Sequence, residues 1–146
     1  MTESTLPASL AMIRDEFLDL EEPERLQLLL EFSNKLPDVP ERYAGHKELF
    51  EQVLECQSPV FIAIEVGDDD RVAMFATAPP EAPTTRGFAS ILAQGLTGLT
   101  VDEALAVPDD FPDSIGIRRA VSPLRLSGMT GMLARAKRQI RAKRHA

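Results

Sequence analysis

The sequence predicts an α+β fold: an antiparallel sheet of about three strands packed against helices, with two N-terminal helices and a long C-terminal helix. Three observations carry this. Helical spacing of apolar residues fills both ends of the chain, β-branched and aromatic residues concentrate in its middle, and proline and glycine punctuate the connections. The 146 residues suit a single domain, 1–146, with residues 1–8 mobile, and can bury a core without a metal or disulfide staple.

From Ser9, the residues Leu10, Ile13, Phe17, Leu18 and Leu20 recur at helical intervals. Glu21-Glu22-Pro23 starts a second helix, with acid at the positive dipole end and proline in the first turn. Leu26, Leu29, Leu30 and Phe32 then share a face, and Leu36-Pro37 stops it. Pro37 to Gly45 is a connection, and His46 to Leu54 fits either a short helical turn or a strand approach. Val60 to Val66 is the clearest strand. Gly67 to Asp70 turns the chain and Arg71 to Thr77 completes a hairpin.

Prolines 79, 80 and 83 keep Ala78 to Pro83 out of any central strand. Helical spacing resumes after Thr84, where the small residues Gly87, Ala89, Ser90, Ala93 and Gly95 allow close approach to a neighbour. Thr100-Val101-Asp102-Glu103 is a capping box for a short helix ending before Pro108. Pro108 to Gly116 is a loop or brief turn. Ser122-Pro123 introduces the last helix, with Met129, Met132, Leu133, Ala136 and Ile140 as its apolar stripe.

Charge is strongly polarised. Residues 1–113 carry 23 acidic and 7 basic side chains, whereas residues 114–146 carry 9 basic and no acidic ones. The basic end could neutralise phosphates, but the net charge of −7 and a 5% aromatic content argue against a nucleic-acid partner. It reads as a solvated helix face with partner docking as a second use. No apolar run is long enough to span a bilayer, and Met1 to Leu10 lacks a basic leader region, so no membrane partner and a cytoplasmic location are expected.

Cys56 is the lone cysteine, which excludes an intrachain disulfide and an all-cysteine metal site. His46 and His145 form no ligand or triad spacing, and Asp68-Asp69-Asp70 lacks the alternation of a calcium loop, so no metal site is expected. Pro59 restrains Ser58 and places Cys56 on a loop at a strand entrance. A free cysteine is often a small buried hydrophobe, but polar Glu55, Gln57 and Ser58 surround this one.

The segment Cys56-Gln57-Ser58-Pro59-Val60 resembles the G-C-x-S-x-V loop of the SufE family, sulfur acceptors for cysteine desulfurases. Leu36-Pro37 resembles that family's helix end before its cysteine. Arg86-Gly87-Phe88 resembles the start of its central helix, and Ser122-Pro123-Leu124-Arg125-Leu126-Ser127-Gly128-Met129 resembles its S-P-x-R-x-x-G entry to the final helix.

The resemblance implies a SufE/IscU-like fold and an accessory sulfurtransferase-type role rather than a stand-alone enzyme. By that analogy Cys56 accepts persulfide sulfur from a cysteine desulfurase, stimulating its turnover, and passes it to an iron–sulfur scaffold protein. Arg125 would orient the loop or the partner, while Glu55, Gln57, Ser58 and Arg86 would contact the partner. No cofactor is expected on this chain, since pyridoxal phosphate resides on the desulfurase. A noncatalytic adaptor with a buried structural Cys56 is the alternative, and an independent cysteine enzyme is a third reading weakened by the lack of an oriented base.

One departure has chemical consequences. Glu55 stands where the family commonly has glycine, and its carboxylate disfavours a neighbouring thiolate. The sequence therefore predicts either a raised thiol pKa or a nearby cation, with Arg125 the candidate.

Overall fold

In the computed structural model, which describes residues 6–144, the chain runs α1 (Ala8–Leu18), α2 (Glu22–Ser33), β1 (Glu51–Gln52), β2 (Phe61–Val66), β3 (Val72–Thr77), α3 (Pro83–Leu96), α4 (Val101–Leu105), α5 (Phe111–Ser114) and α6 (Pro123–Lys143). The sheet is antiparallel in the order β1-β2-β3. Residues 1–5, 145 and 146 lie outside the described residues, so the expectations for the first part of the mobile lead and for His145 do too.

The hairpin register pairs Phe61 with Thr77 and Val66 with Val72. Asp70 adopts a left-handed φ of 64° in the turn, which its short polar side chain tolerates. The Asp69 carboxylate accepts from the Arg71 amide at 3.1 Å. Alternate residues share a face of a strand. Ile62 and Ile64 on β2, with Val72, Met74 and Ala76 on β3, accordingly enter the main core with the helices. The other face meets the segment before β1, where the Tyr43 ring lies 5.0 Å from Phe75 and 5.6 Å from Phe50.

Two of the helical contacts need glycine. A Cβ built on Gly87 of α3 would fall 2.3 Å from the carbonyl oxygen of Leu29 on α2, and one on Gly95 would fall 2.2 Å from the Leu10 side chain on α1. The small residues thus seat both N-terminal helices against α3.

Helix α6 closes the other side and completes the sheet edge that β1 is too short to cover. Gln139 Oε1 accepts from the Ile64 amide at 3.0 Å, and Lys143 Nζ donates to the Ile64 carbonyl at 2.6 Å. These bonds satisfy main-chain groups that would otherwise lack a strand partner.

The basic end is mostly a solvated face, as the sequence predicts: Arg118, Arg119, Arg125, Arg138, Arg141, Lys143 and Arg144 are exposed, and the exceptions are the buried Lys137 and the half-buried Arg135. Lys137 is only 5% exposed and donates to the Val107 carbonyl and, at 2.7 Å, to Asp109. Arg144 pairs with Asp102 at 3.2 Å. Opposite charges concentrated in separate stretches of sequence meet across the helix-to-body contact. The segment left open at His46 to Leu54 contains both alternatives, a tight helical turn at Lys47–Leu49 followed by β1. The capping boxes form at α2, through Glu21 and Glu24, and at α4, through Thr100 and Glu103.

Candidate functional site

Cys56 lies in the loop between β1 and β2, held against the first turns of α6. Val53 anchors the loop: it is fully buried, its amide donates to Val60 at 2.9 Å, and its carbonyl accepts from the Cys56 amide at 3.1 Å. The Ser122 hydroxyl caps α6 by accepting from the Arg125 amide at 3.2 Å, which fixes the start of the helix opposite the loop.

Two glycines let the loop sit this close. A Cβ on Gly128 would lie 3.0 Å from Cys56 Sγ, and one on Gly131 would lie 2.7 Å from Cγ and Cδ of Glu55. The thiol is half-buried and packs beside the core without being enclosed by it. It donates to the Gly128 carbonyl across 3.6 Å and faces a cavity of about 40 Å³ lined also by Gln57, Ser58, Thr85, Leu124 and Arg125. Leu124 in this lining is 52% exposed, and Leu54, two residues before Cys56 in the chain, is 70% exposed.

Burial and then the neighbouring Glu55 charge push the Cys56 thiol up to about 11, with Arg135 offsetting part of the rise. Both outcomes anticipated from Glu55 thus occur together, but the cation is Arg135 rather than Arg125. Arg135 Nε donates to Glu55 at 2.7 Å and its Nη1 donates to Glu51 at 2.7 Å. That hydrogen bond holds the Glu55 carboxyl below its ordinary range. Burial works against the Glu51 carboxylate, yet hydrogen bonds from Gln139 and Arg135 and the charges of Arg138 and Arg135 keep it low as well.

Of the residues singled out from sequence, Cys56, Gln57, Ser58 and Arg125 share one cavity. Arg125 spends Nη1 on the Thr84 hydroxyl at 2.6 Å, tying α6 to the first turn of α3. Arg86 stands apart from this lining. Its fork donates to the Ser33 carbonyl at 3.0 Å and to Ala78 at 2.6 Å, which binds the ends of α2 and β3 to α3. His46 pairs with Glu48 at 3.1 Å and lines a separate, mostly apolar cavity of about 300 Å³ with Tyr43, Phe50 and Phe61.

Arg135 is the site residue that sequence reasoning missed. Its signal was spacing: Gly128, Gly131 and Arg135 recur at helical intervals and so share one face of α6. Among the described residues no three histidine, cysteine or carboxylate side chains gather as metal ligands, and no helix is long and apolar enough to cross a membrane.

The chain resembles known proteins over nearly its whole length. A family profile described as "SufE: Fe-S metabolism associated domain" matches residues 11–140. An uncharacterized SufE-like protein from each of two Mycobacterium tuberculosis strains is 48% identical over 138 residues, which cover 94% of this chain and 95% of that protein. The cysteine desulfuration protein SufE of Plasmodium falciparum is 26% identical over 113 residues, covering 76% of this chain and 44% of its own. Among solved structures, the solution structure of a hypothetical protein from Thermus thermophilus superposes with a TM-score of 0.82 at 34% identity, covering 94% of this chain and 97% of that one.

Proposed function

This chain belongs to the SufE family, and from that premise we propose that it accepts sulfur from a cysteine desulfurase on Cys56 and carries it into iron–sulfur cluster assembly. The observation that carries the reading is the placement of the lone thiol. Cys56 lies on a loop, half-buried, beside a small cavity that the exposed Leu124 also lines. A carrier thiol needs shelter for its cargo and a route to another protein's active site.

The step is a sulfur exchange without net oxidation. The Cys56 thiolate attacks the terminal sulfur of the desulfurase's cysteine persulfide, a new S–S bond forms at Sγ, and the old S–S bond breaks. The desulfurase cysteine leaves as a thiolate and takes up the proton that Cys56 released. Pyridoxal phosphate remains on the desulfurase and supplies the chemistry that first extracts sulfur from L-cysteine. The cavity beside Sγ accommodates a water-sized group, which supports room for one further sulfur atom. With no second cysteine in the chain, intrachain disulfide formation cannot discharge the carried sulfur. The cargo then passes to the thiols of a scaffold protein.

The exposed Leu124 in the cavity lining, with exposed Leu54 on the same loop as Cys56, favours a protein partner over a small-molecule acceptor. In this reading the chain acts in the cytoplasm and holds no cofactor of its own.

Multiple-turnover desulfurase assays test the proposal. The wild-type chain is expected to raise alanine production from L-cysteine. Cys56→Ser should lower it to the rate of the desulfurase alone while the variant keeps its fold. Equal stimulation by wild type and Cys56→Ser would overturn the acceptor role.

A further inference from the structure

We infer that Arg135 is the positioning residue of the Cys56 loop, latching it shut on α6 through Glu55 and Glu51, and that opening of the Glu55 half of this latch presents the thiol. The inference rests on the sulfur-acceptor reading and specifies how that site is regulated.

One guanidinium grips the loop on both sides of its buried peg. Glu51 precedes Val53 and Glu55 follows it, and Arg135 reaches each carboxylate at 2.7 Å. The two halves differ in strength. Glu51 also accepts from Arg138 and, at 2.9 Å, from Gln139, so it stays fixed to α6. Arg135 is the one side chain among the described residues that hydrogen-bonds the Glu55 carboxylate, which is 42% exposed. A partly exposed pair of this kind is weak and screened by salt. The latch therefore releases at Glu55.

Opening has a chemical purpose. In the closed state Sγ faces the Gly128 carbonyl, which accepts a proton from a thiol and repels a thiolate. Glycines 128 and 131 leave no side chain between loop and helix, so the closed loop lies flat against α6. Lifting Glu55 away from Arg135 moves Cys56 off that carbonyl and toward a partner.

Hydrogen exchange of the backbone amides of residues 54–58 in the full chain reads the opening without involving thiol charge. At about 0.05 M salt, Glu55→Gln is expected to exchange these amides about fivefold faster than wild type, with β2, β3 and α3 unchanged. At about 1 M salt the wild type should approach the variant, which itself responds little. Arg135→Lys retains the charge without the fork and should fall between them.

Equal exchange in wild type and Glu55→Gln at low salt overturns the latch, as does an equal salt response in both. Faster exchange throughout β2 and α3 would overturn it too, by showing general destabilisation. No desulfurase enters the measurement, so a failed latch leaves sulfur acceptance intact. Failed sulfur transfer, conversely, leaves the exchange pattern standing.

Discussion

Cys56 in the resting protein is expected to alkylate about 100-fold more slowly at pH 8 than a thiol with the ordinary value, because a pKa of about 11 in place of 9.0 lowers the thiolate fraction at that pH by about that factor. The physical cause is burial first and the Glu55 carboxylate second, which raise the thiol from 9.0 to about 11. Iodoacetamide rates should climb tenfold per pH unit through pH 9 and 10 and level off only near 11. A plateau below pH 9 would show an unshielded thiol. The same displacement has a stability consequence of definite sign. The folded state holds the thiol proton more tightly than the unfolded chain does, so this contribution is complete below pH 9 and is lost as pH rises toward about 11. A protein that keeps its carrier thiol protonated until a partner docks avoids wasteful oxidation, since oxidants attack the thiolate.

Gly87→Ala is expected to cost about 3 kcal/mol and lower Tm by about 10 °C, at the upper end for an overpacked contact. The new methyl would fall 2.3 Å from the Leu29 main-chain oxygen and 3.0 Å from Leu29 Cδ1. A backbone atom cannot swing aside, so α2 must move away from α3 along with the buried Leu29 and Phe32. The helix propensity gained by alanine returns about 1 kcal/mol at most. Urea unfolding monitored by circular dichroism measures the difference, and a variant as stable as wild type would contradict the packing described. The helices that the displacement disturbs are also anchored by Arg86, which donates to Ser33 at the end of α2.

Much of this architecture was legible in the sequence because it depends on local chemistry. The β-branched run at Val60 to Val66, the Asp-rich turn, the capping box at Thr100 and the Ser122-Pro123 helix start each declare their geometry within a few residues. The close approach of α3 was legible from its small side chains. His46 to Leu54 was not, because a tight turn and a two-residue strand are too short to show a period. The charge run of α6 is mostly exposed, as its polarity implies, but its buried cation was not legible. Lys137 is buried and donates to the Val107 carbonyl and to Asp109, 28 residues away, and no feature of the run itself distinguishes a docked cation from a solvated one. The substitution of Glu55 for glycine correctly announced an electrostatic problem at the thiol. Its solution, Arg135, lies 80 residues along the chain and becomes a neighbour only when α6 folds over the loop.

The sulfur-carrier account depends on where a transferred atom resides after one turnover. A pyridoxal-phosphate cysteine desulfurase is loaded with a single equivalent of L-cysteine and mixed with the full chain. The products are then trapped by alkylation and digested for mass spectrometry. The account predicts one additional sulfur on the peptide containing Cys56, with matching loss of the persulfide from the desulfurase. Persulfide retained by the desulfurase or released as sulfide, with the Cys56 peptide unmodified, would contradict it.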